Sequence, residues 1–135
     1  MPFVLDCSMM MAWTFPDEAT KQSAVLRDSL LEDYALVPTL WPIEVANVLL
    51  VATRRKRMRE SDWPKLLADL TALPIGVDDE TSERALTDSL QVARRYDLSA
   101  YDAVYLELAL RRKLPMATLD KGFKRVCRRA GVDVV

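Results

Sequence analysis

Short apolar runs alternate with longer stretches of helical periodicity along this chain, and that alternation predicts its elements. Phe3-Val4-Leu5 is a brief apolar strand with Asp6 at its C-terminal end. Cys7-Ser8 and a Met-rich helical start follow, through Trp13. Asp17-Glu18 is expected to open a second helix, in which Ala24, Val25, Leu26, Leu30 and Leu31 recur at roughly helical spacing. Tyr34 to Pro38 is the second strand. Pro42 then falls at a helix start with Glu44 in the first turn, and Val45 to Ala52 is apolar almost all round.

Arg54-Arg55-Lys56-Arg57 ends that helix, where cations suit the dipole. Ser61-Asp62-Trp63-Pro64 caps the next, which runs to about Leu73. Ile75-Gly76-Val77 is a third strand, and Asp79-Glu80 opens a helix to Tyr96. The best-defined stretch comes next. Ser99 is the N-cap of a helix from Ala100, Asp102 is the acid three residues on, and apolar residues fill most of the helix circumference to Leu110. Pro115 forces a break before a short buried strand from Met116 to Thr118, with Asp120 just beyond it. The last helix buries Phe123, Val126, Cys127 and Ala130, and Val132 to Val135 closes as a final strand. Helices alternating with short buried strands predict a single three-layer α/β domain over residues 1–135. Its central sheet is mostly parallel, with four to five strands.

Composition narrows the chemistry. Glycine is scarce, at three residues, which argues against a Gly-rich phosphate loop. Histidine is absent, so Ser-His-Asp and Cys-His catalysis are excluded and carboxylates remain as the reactive groups. Cys7 and Cys127 form no zinc pattern and suggest a reducing compartment. No apolar run approaches membrane-spanning length and no leader pattern is seen, so a cytoplasmic protein is expected. The net charge of −1 hides segregation: residues 108–135 carry eight basic side chains against two acidic ones. A near-neutral chain can therefore present a basic stripe beside an acidic site.

Four acids carry the functional reading. Asp6 follows strand one, Glu44 opens the helix after strand two, Asp102 opens the central helix and Asp120 follows strand four. Each has an ordinary explanation, since acids in a first turn complement the helix dipole and Asp102 is placed as half of a capping box. Their company is harder to explain that way. Strand C-termini of a parallel sheet share one edge, where ligands bind, and like charges gathered there repel. A hard divalent cation such as Mg²⁺ or Mn²⁺ removes that conflict.

The pieces Val4-Leu5-Asp6-Cys7-Ser8, Pro42 to Leu49, Tyr101-Asp102-Ala103-Val104-Tyr105-Leu106 and Ala117-Thr118-Leu119-Asp120 together resemble the PIN-domain nucleases, and within them the VapC-type toxins of toxin–antitoxin pairs. No one motif is specific, but four in order across the chain are. The resemblance implies a metal-dependent endoribonuclease whose ligands map to Asp6, Glu44, Asp102 and Asp120. It also implies a homodimer and an antitoxin that docks over the site. The chain departs from the family pattern at Arg112-Lys113-Leu114, where many relatives end the central helix with glycine.

On this reading Asp6 and Asp102 bind Mg²⁺ directly, while Asp120 and Glu44 bind directly or through water. Ser8 and Thr118 are placed to hydrogen-bond those ligands, or simply to cap helices. Asn47 stands one turn beyond Glu44 and faces the same way. Lys121 and Lys124 are the first choice for RNA phosphates, and the Arg54–Arg59 run is either another contact or a solvated helix end. The tryptophans and Met9-Met10-Met11 are expected in packing, and Cys7 as a small buried hydrophobe. Two rivals are weighed. A receiver-like phosphoacceptor domain has the same length but wants an acidic pair after strand one, which Asp6-Cys7 does not supply. A catalytically inactive PIN-fold binding protein is expected to have lost part of the carboxylate set.

Overall fold

The computed structural model describes residues 1–135. Four strands form one sheet: β1 Phe3–Leu5, β2 Ala35–Pro38, β3 Ile75–Asp78 and β4 Met116–Ala117. All neighbours are parallel and the order is β3-β2-β1-β4. Val4 pairs with Leu36 on one side and Met116 on the other. The helices are α1 Cys7–Thr14, α2 Lys21–Ser29, α3 Leu40–Arg54, α4 Trp63–Ala72, α5 Thr81–Arg84, α6 Leu90–Tyr96, α7 Ala100–Arg112 and α8 Lys121–Arg129, with a π-helical turn at Ala85–Ser89 joining α5 to α6. None is long and apolar enough to cross a membrane.

The order places a topological switch point at β1. From it the chain proceeds outward to β2 and β3 on one side, then returns to add β4 on the other. In open α/β sheets the crevice beyond the strand ends at such a point is where ligands bind. Asp6 and Asp120 follow the two strands that flank it. The order also differs from the 2-1-3-4-5 sheet of receiver-type domains, so that rival loses its architecture.

β1 is buried along its whole length, as the apolar run requires, and Met9 and Met10 of α1 join it in the core. Each such fully buried side chain contributes about 1.5–3 kcal/mol of transfer free energy. In α7 every residue from Ala103 to Ala109 is buried, because β1 and β2 cover one side and α6 another. Its all-round apolarity is thus used within the chain, without a second subunit. α3 differs: Val45, Leu49 and Ala52 face the core, while Ile43 and Leu50 remain exposed.

Several expected boundaries move. Asp17 and Glu18 lie in a separate 3₁₀ turn, Pro16–Glu18, and α2 begins after Thr20, whose hydroxyl and backbone exchange hydrogen bonds with Ser23. A reciprocal Thr-to-Ser cap satisfies the first-turn N–H groups better than acids that lie before the helix. Of the α2 apolar set, Leu26 and Leu30 are buried but Val25 and Leu31 face solvent. Glu44 is not in the first turn of α3, which already starts at Leu40. Val126 and Ala130 are only half-buried. The fifth strand shrinks to one bridge, Val134 to Met116, because β4 offers only two residues to pair with. At the end of α7, Lys113 takes the left-handed conformation (φ 55°) that glycine ordinarily fills, and the Leu114 N–H reaches the Ala109 carbonyl.

Candidate metal centre

Asp6 occupies the cap position of α1, yet its carboxylate does not cap the helix. It is held from the side instead. Thr118 Oγ1 donates to Asp6 Oδ2 at 2.6 Å, and Ser8 Oγ donates to the same oxygen at 3.1 Å. The backbone ties the two strand ends together as well, with Asp6 N–H donating to the Ala117 carbonyl at 3.0 Å. Ser8 Oγ in turn accepts from the Leu119 N–H, and Thr118 Oγ1 from the Asp120 N–H. Both hydroxyls therefore brace the site across the switch point rather than capping helices.

Asp102 sits at the third position of α7. Ser99 Oγ accepts its backbone N–H at 3.1 Å, but the Asp102 side chain does not close the expected capping box. The carboxylate is left free to face the cleft. Asp120 does cap α8, accepting the Phe123 N–H on Oδ1 at 2.8 Å. Glu44, on the second turn of α3, accepts a hydrogen bond from the buried Tyr105 hydroxyl of α7.

A cleft of about 460 Å³ brings these groups together, with Asp6, Ser8, Glu44, Asn47, Asp102 and Asp120 in its wall. No lysine or arginine lines it. Burial, opposed by the Thr118 and Ser8 hydroxyls, holds the Asp6 carboxyl above its ordinary range. Burial also raises Asp102, with the charges of Asp6 and Asp120 adding to it. Glu44 is raised by burial against the pull of Tyr105, and again by Asp6 and Asp102. Mutual repulsion among unpaired acids is the condition a divalent cation relieves. Cys7 on the same wall is pushed up to about 12 by burial and by Glu44 and Asp6, so it stays a thiol.

A tighter acid trio lies elsewhere. Oxygens of Asp78, Asp79 and Glu80 are within 4.8 Å of one another at the end of β3. Arg111 already answers it, donating to Asp78 Oδ2 at 2.7 Å and to Glu80 Oε2 at 2.9 Å, and to the buried Glu107 at 2.9 Å. This guanidinium holds Asp78 well below the usual carboxylate range. Asp78 and Glu80 of the trio therefore belong to an ion-pair network joining β3 to α7, whereas no basic side chain lines the four-acid cleft.

Two sequence expectations lie outside the cleft. Lys121 and Lys124 start α8, but neither is in the cleft wall. In the basic run, Arg57 is engaged by Asp17 and Glu18 at 3.1 Å each and covers the Phe15 ring at 4.2 Å. Tyr105 is the residue that sequence reasoning missed. A tyrosine inside an otherwise apolar helix interior needs a partner for its hydroxyl, and that need was the available signal.

The PIN domain family model matches residues 3–129. Ribonuclease VapC3 of Pyrobaculum aerophilum is 28% identical over 121 residues, covering 90% of this chain and 91% of that protein. Among solved structures, PAE2754 from Pyrobaculum aerophilum superposes with a TM-score of 0.66 at 22% identity, over 100% of this chain and 92% of that one. VapBC2 from Rickettsia felis, bound to a DNA fragment from their promoter, gives a TM-score of 0.66 at 8% identity, over 100% and 98%. At these identities the structural likenesses speak for the fold.

Proposed function

Because this chain belongs to the PIN domain family, we propose that it is a divalent-metal-dependent endoribonuclease, the toxin of a VapBC-type toxin–antitoxin pair. The observation that carries the reading is the cleft, lined by no lysine or arginine, in which Asp6, Glu44, Asp102 and Asp120 converge at the switch point. Its donors are all carboxylate oxygens, with hydroxyl and amide groups beside them, which suits Mg²⁺ or Mn²⁺ better than zinc. Asp6 and Asp102 are proposed as direct ligands, and Asp120 and Glu44 as direct or water-mediated ones.

A bound Mg²⁺ or Mn²⁺ supplies charge neutralisation at the phosphodiester and a lowered pKa for the attacking water. The chain's own residues set up that chemistry. Thr118 and Ser8 fix one oxygen of Asp6, which leaves the other to the cleft. Tyr105 fixes one oxygen of Glu44 in the same way. Asp120 shares its carboxylate between the α8 cap and the cleft wall. Asn47 offers an amide beside Glu44 for a substrate oxygen, and Lys121 and Lys124 are proposed to meet phosphates beyond the cleft.

The proposed partners are an RNA substrate, a cognate antitoxin protein and a second copy of the chain. A cytoplasmic location is consistent with these partners.

Cleavage of a defined RNA is expected with Mg²⁺ or Mn²⁺ and none in EDTA. Full activity in EDTA would end the metal reading. Metal binding without cleavage of any RNA would favour an inactive binding protein on the same fold.

A further inference from the structure

Tyr101 and Ile43 each stand one residue before an acid of the site, Asp102 and Glu44, and both line the same cleft. Each leaves 67% of its surface open to solvent. Isolated exposed apolar residues are ordinary on a protein surface. These two line a cleft whose wall holds four carboxylates and no lysine or arginine. A polyanion entering it would meet repulsion from these carboxylates except at the reacting phosphate, whose charge the proposed metal would neutralise. Lys121 and Lys124 lie outside this wall, so inside the cleft the nucleotide beside the scissile phosphate must be held by something other than charge.

Besides its acids, Ser8 and Asn47, the wall offers apolar surface: the half-buried Met11, Leu40 and Val48, with the exposed Tyr101 and Ile43. Unpaired bases are recognised by stacking on aromatic rings, whereas bases inside a helix already have both faces covered. Resting on the nuclease reading above, we propose that Tyr101 is the stacking platform for the base beside the scissile phosphate, with Ile43 as a second apolar contact. The site then takes a nucleotide splayed out of its helix, and Tyr101 sets which flanking position is gripped.

The test uses a single-stranded RNA cut at one mapped bond by the wild-type protein in Mn²⁺. A second set of the same RNA carries one abasic nucleotide on either side of that bond. Y101A is expected to raise KM by about 5- to 150-fold, the range that one lost stack brings, while kcat is retained. Y101F keeps the ring and is expected to restore KM, and I43A to move it less in the same direction. The abasic RNA at the gripped position is expected to raise the wild-type KM by the same factor and to change Y101A no further.

A Y101A protein with wild-type KM overturns the proposal, as does an abasic loss that adds in full to the Y101A loss. So does a Y101A protein that changes its oligomeric state, which makes the ring a protein contact. Each of these leaves the nuclease reading standing. A wild-type protein that cuts no RNA in Mg²⁺ or Mn²⁺ removes both together.

Discussion

Tyr105, buried within α7, donates its hydroxyl hydrogen to Glu44 of α3. The bond joins two helices that are 61 residues apart at this contact and points one Glu44 oxygen away from the cleft. It makes the aim of a proposed ligand depend on a phenol that touches no substrate.

Y105F keeps the ring and its packing but removes that bond. Mn²⁺ affinity, read by calorimetry, is expected to fall roughly 10- to 100-fold, the usual loss when a ligand loses its orienting partner. The metal-free protein should lose no more than about 1–3 kcal/mol of stability, the worth of one hydrogen bond to a carboxylate. Unchanged affinity would show that Glu44 is held by other means, or that it binds no metal.

D102N separates ligand from cap. Ser99 already caps α7 and the Asp102 carboxylate takes no part, so the amide should leave helix stability intact. The metal-free variant is expected to be as stable as the wild type or more so, since a repelling charge is gone. Cleavage and the metal-induced rise in melting temperature should both disappear. Wild-type cleavage by D102N would end the case for this residue.

The pH dependence of the metal-free protein follows from the three raised acids. Asp6, Glu44 and Asp102 bind protons more tightly folded than unfolded, so stability falls as pH rises from about 4 through their raised values. Asp78 has the opposite sign. Its Arg111 pair contributes fully above the ordinary aspartate range and is lost only below it. Melting should therefore occur at a higher temperature near pH 5 than near pH 7, and a D6N/E44Q/D102N variant should flatten the slope. A metal-free wild type whose stability rises over that interval would contradict the repulsion described here.

Lys113 ends α7 in a left-handed conformation that costs a side-chain-bearing residue about 1 kcal/mol. K113G is expected to stabilise the protein by about that amount in urea melts, because the position is exposed and glycine takes the left-handed conformation without strain. Destabilisation would mean that the lysine side chain makes up the difference elsewhere.

What the sequence made legible was local. β1 announced itself as an apolar run and Ser99 as a cap, because each of those signals lies within four residues. The convergence of the four acids needed only the rule that parallel strands share an edge. What stayed hidden depends on distance along the chain. Glu44 meets Tyr105 across 61 residues, and Arg111 meets Asp78 across 33, and neither pairing leaves a trace in spacing. In α2 helical periodicity alone does not say which apolar residues are covered: Leu26 is, Val25 is not. Val132 to Val135 has the composition of a strand, but only one bridge forms where β4 is two residues long.

The Thr118–Asp6 bond spans 112 residues, and β4 must reach β1 before it can form. A ribosome that has translated as far as Leu110 has already made Asp6, Glu44 and Asp102, but nothing yet pairs with the open side of β1. The half-made chain therefore has neither Thr118 to hold Asp6 nor Asp120 in the cleft wall. A stop codon or a protease cut ahead of Met116 leaves it permanently without both.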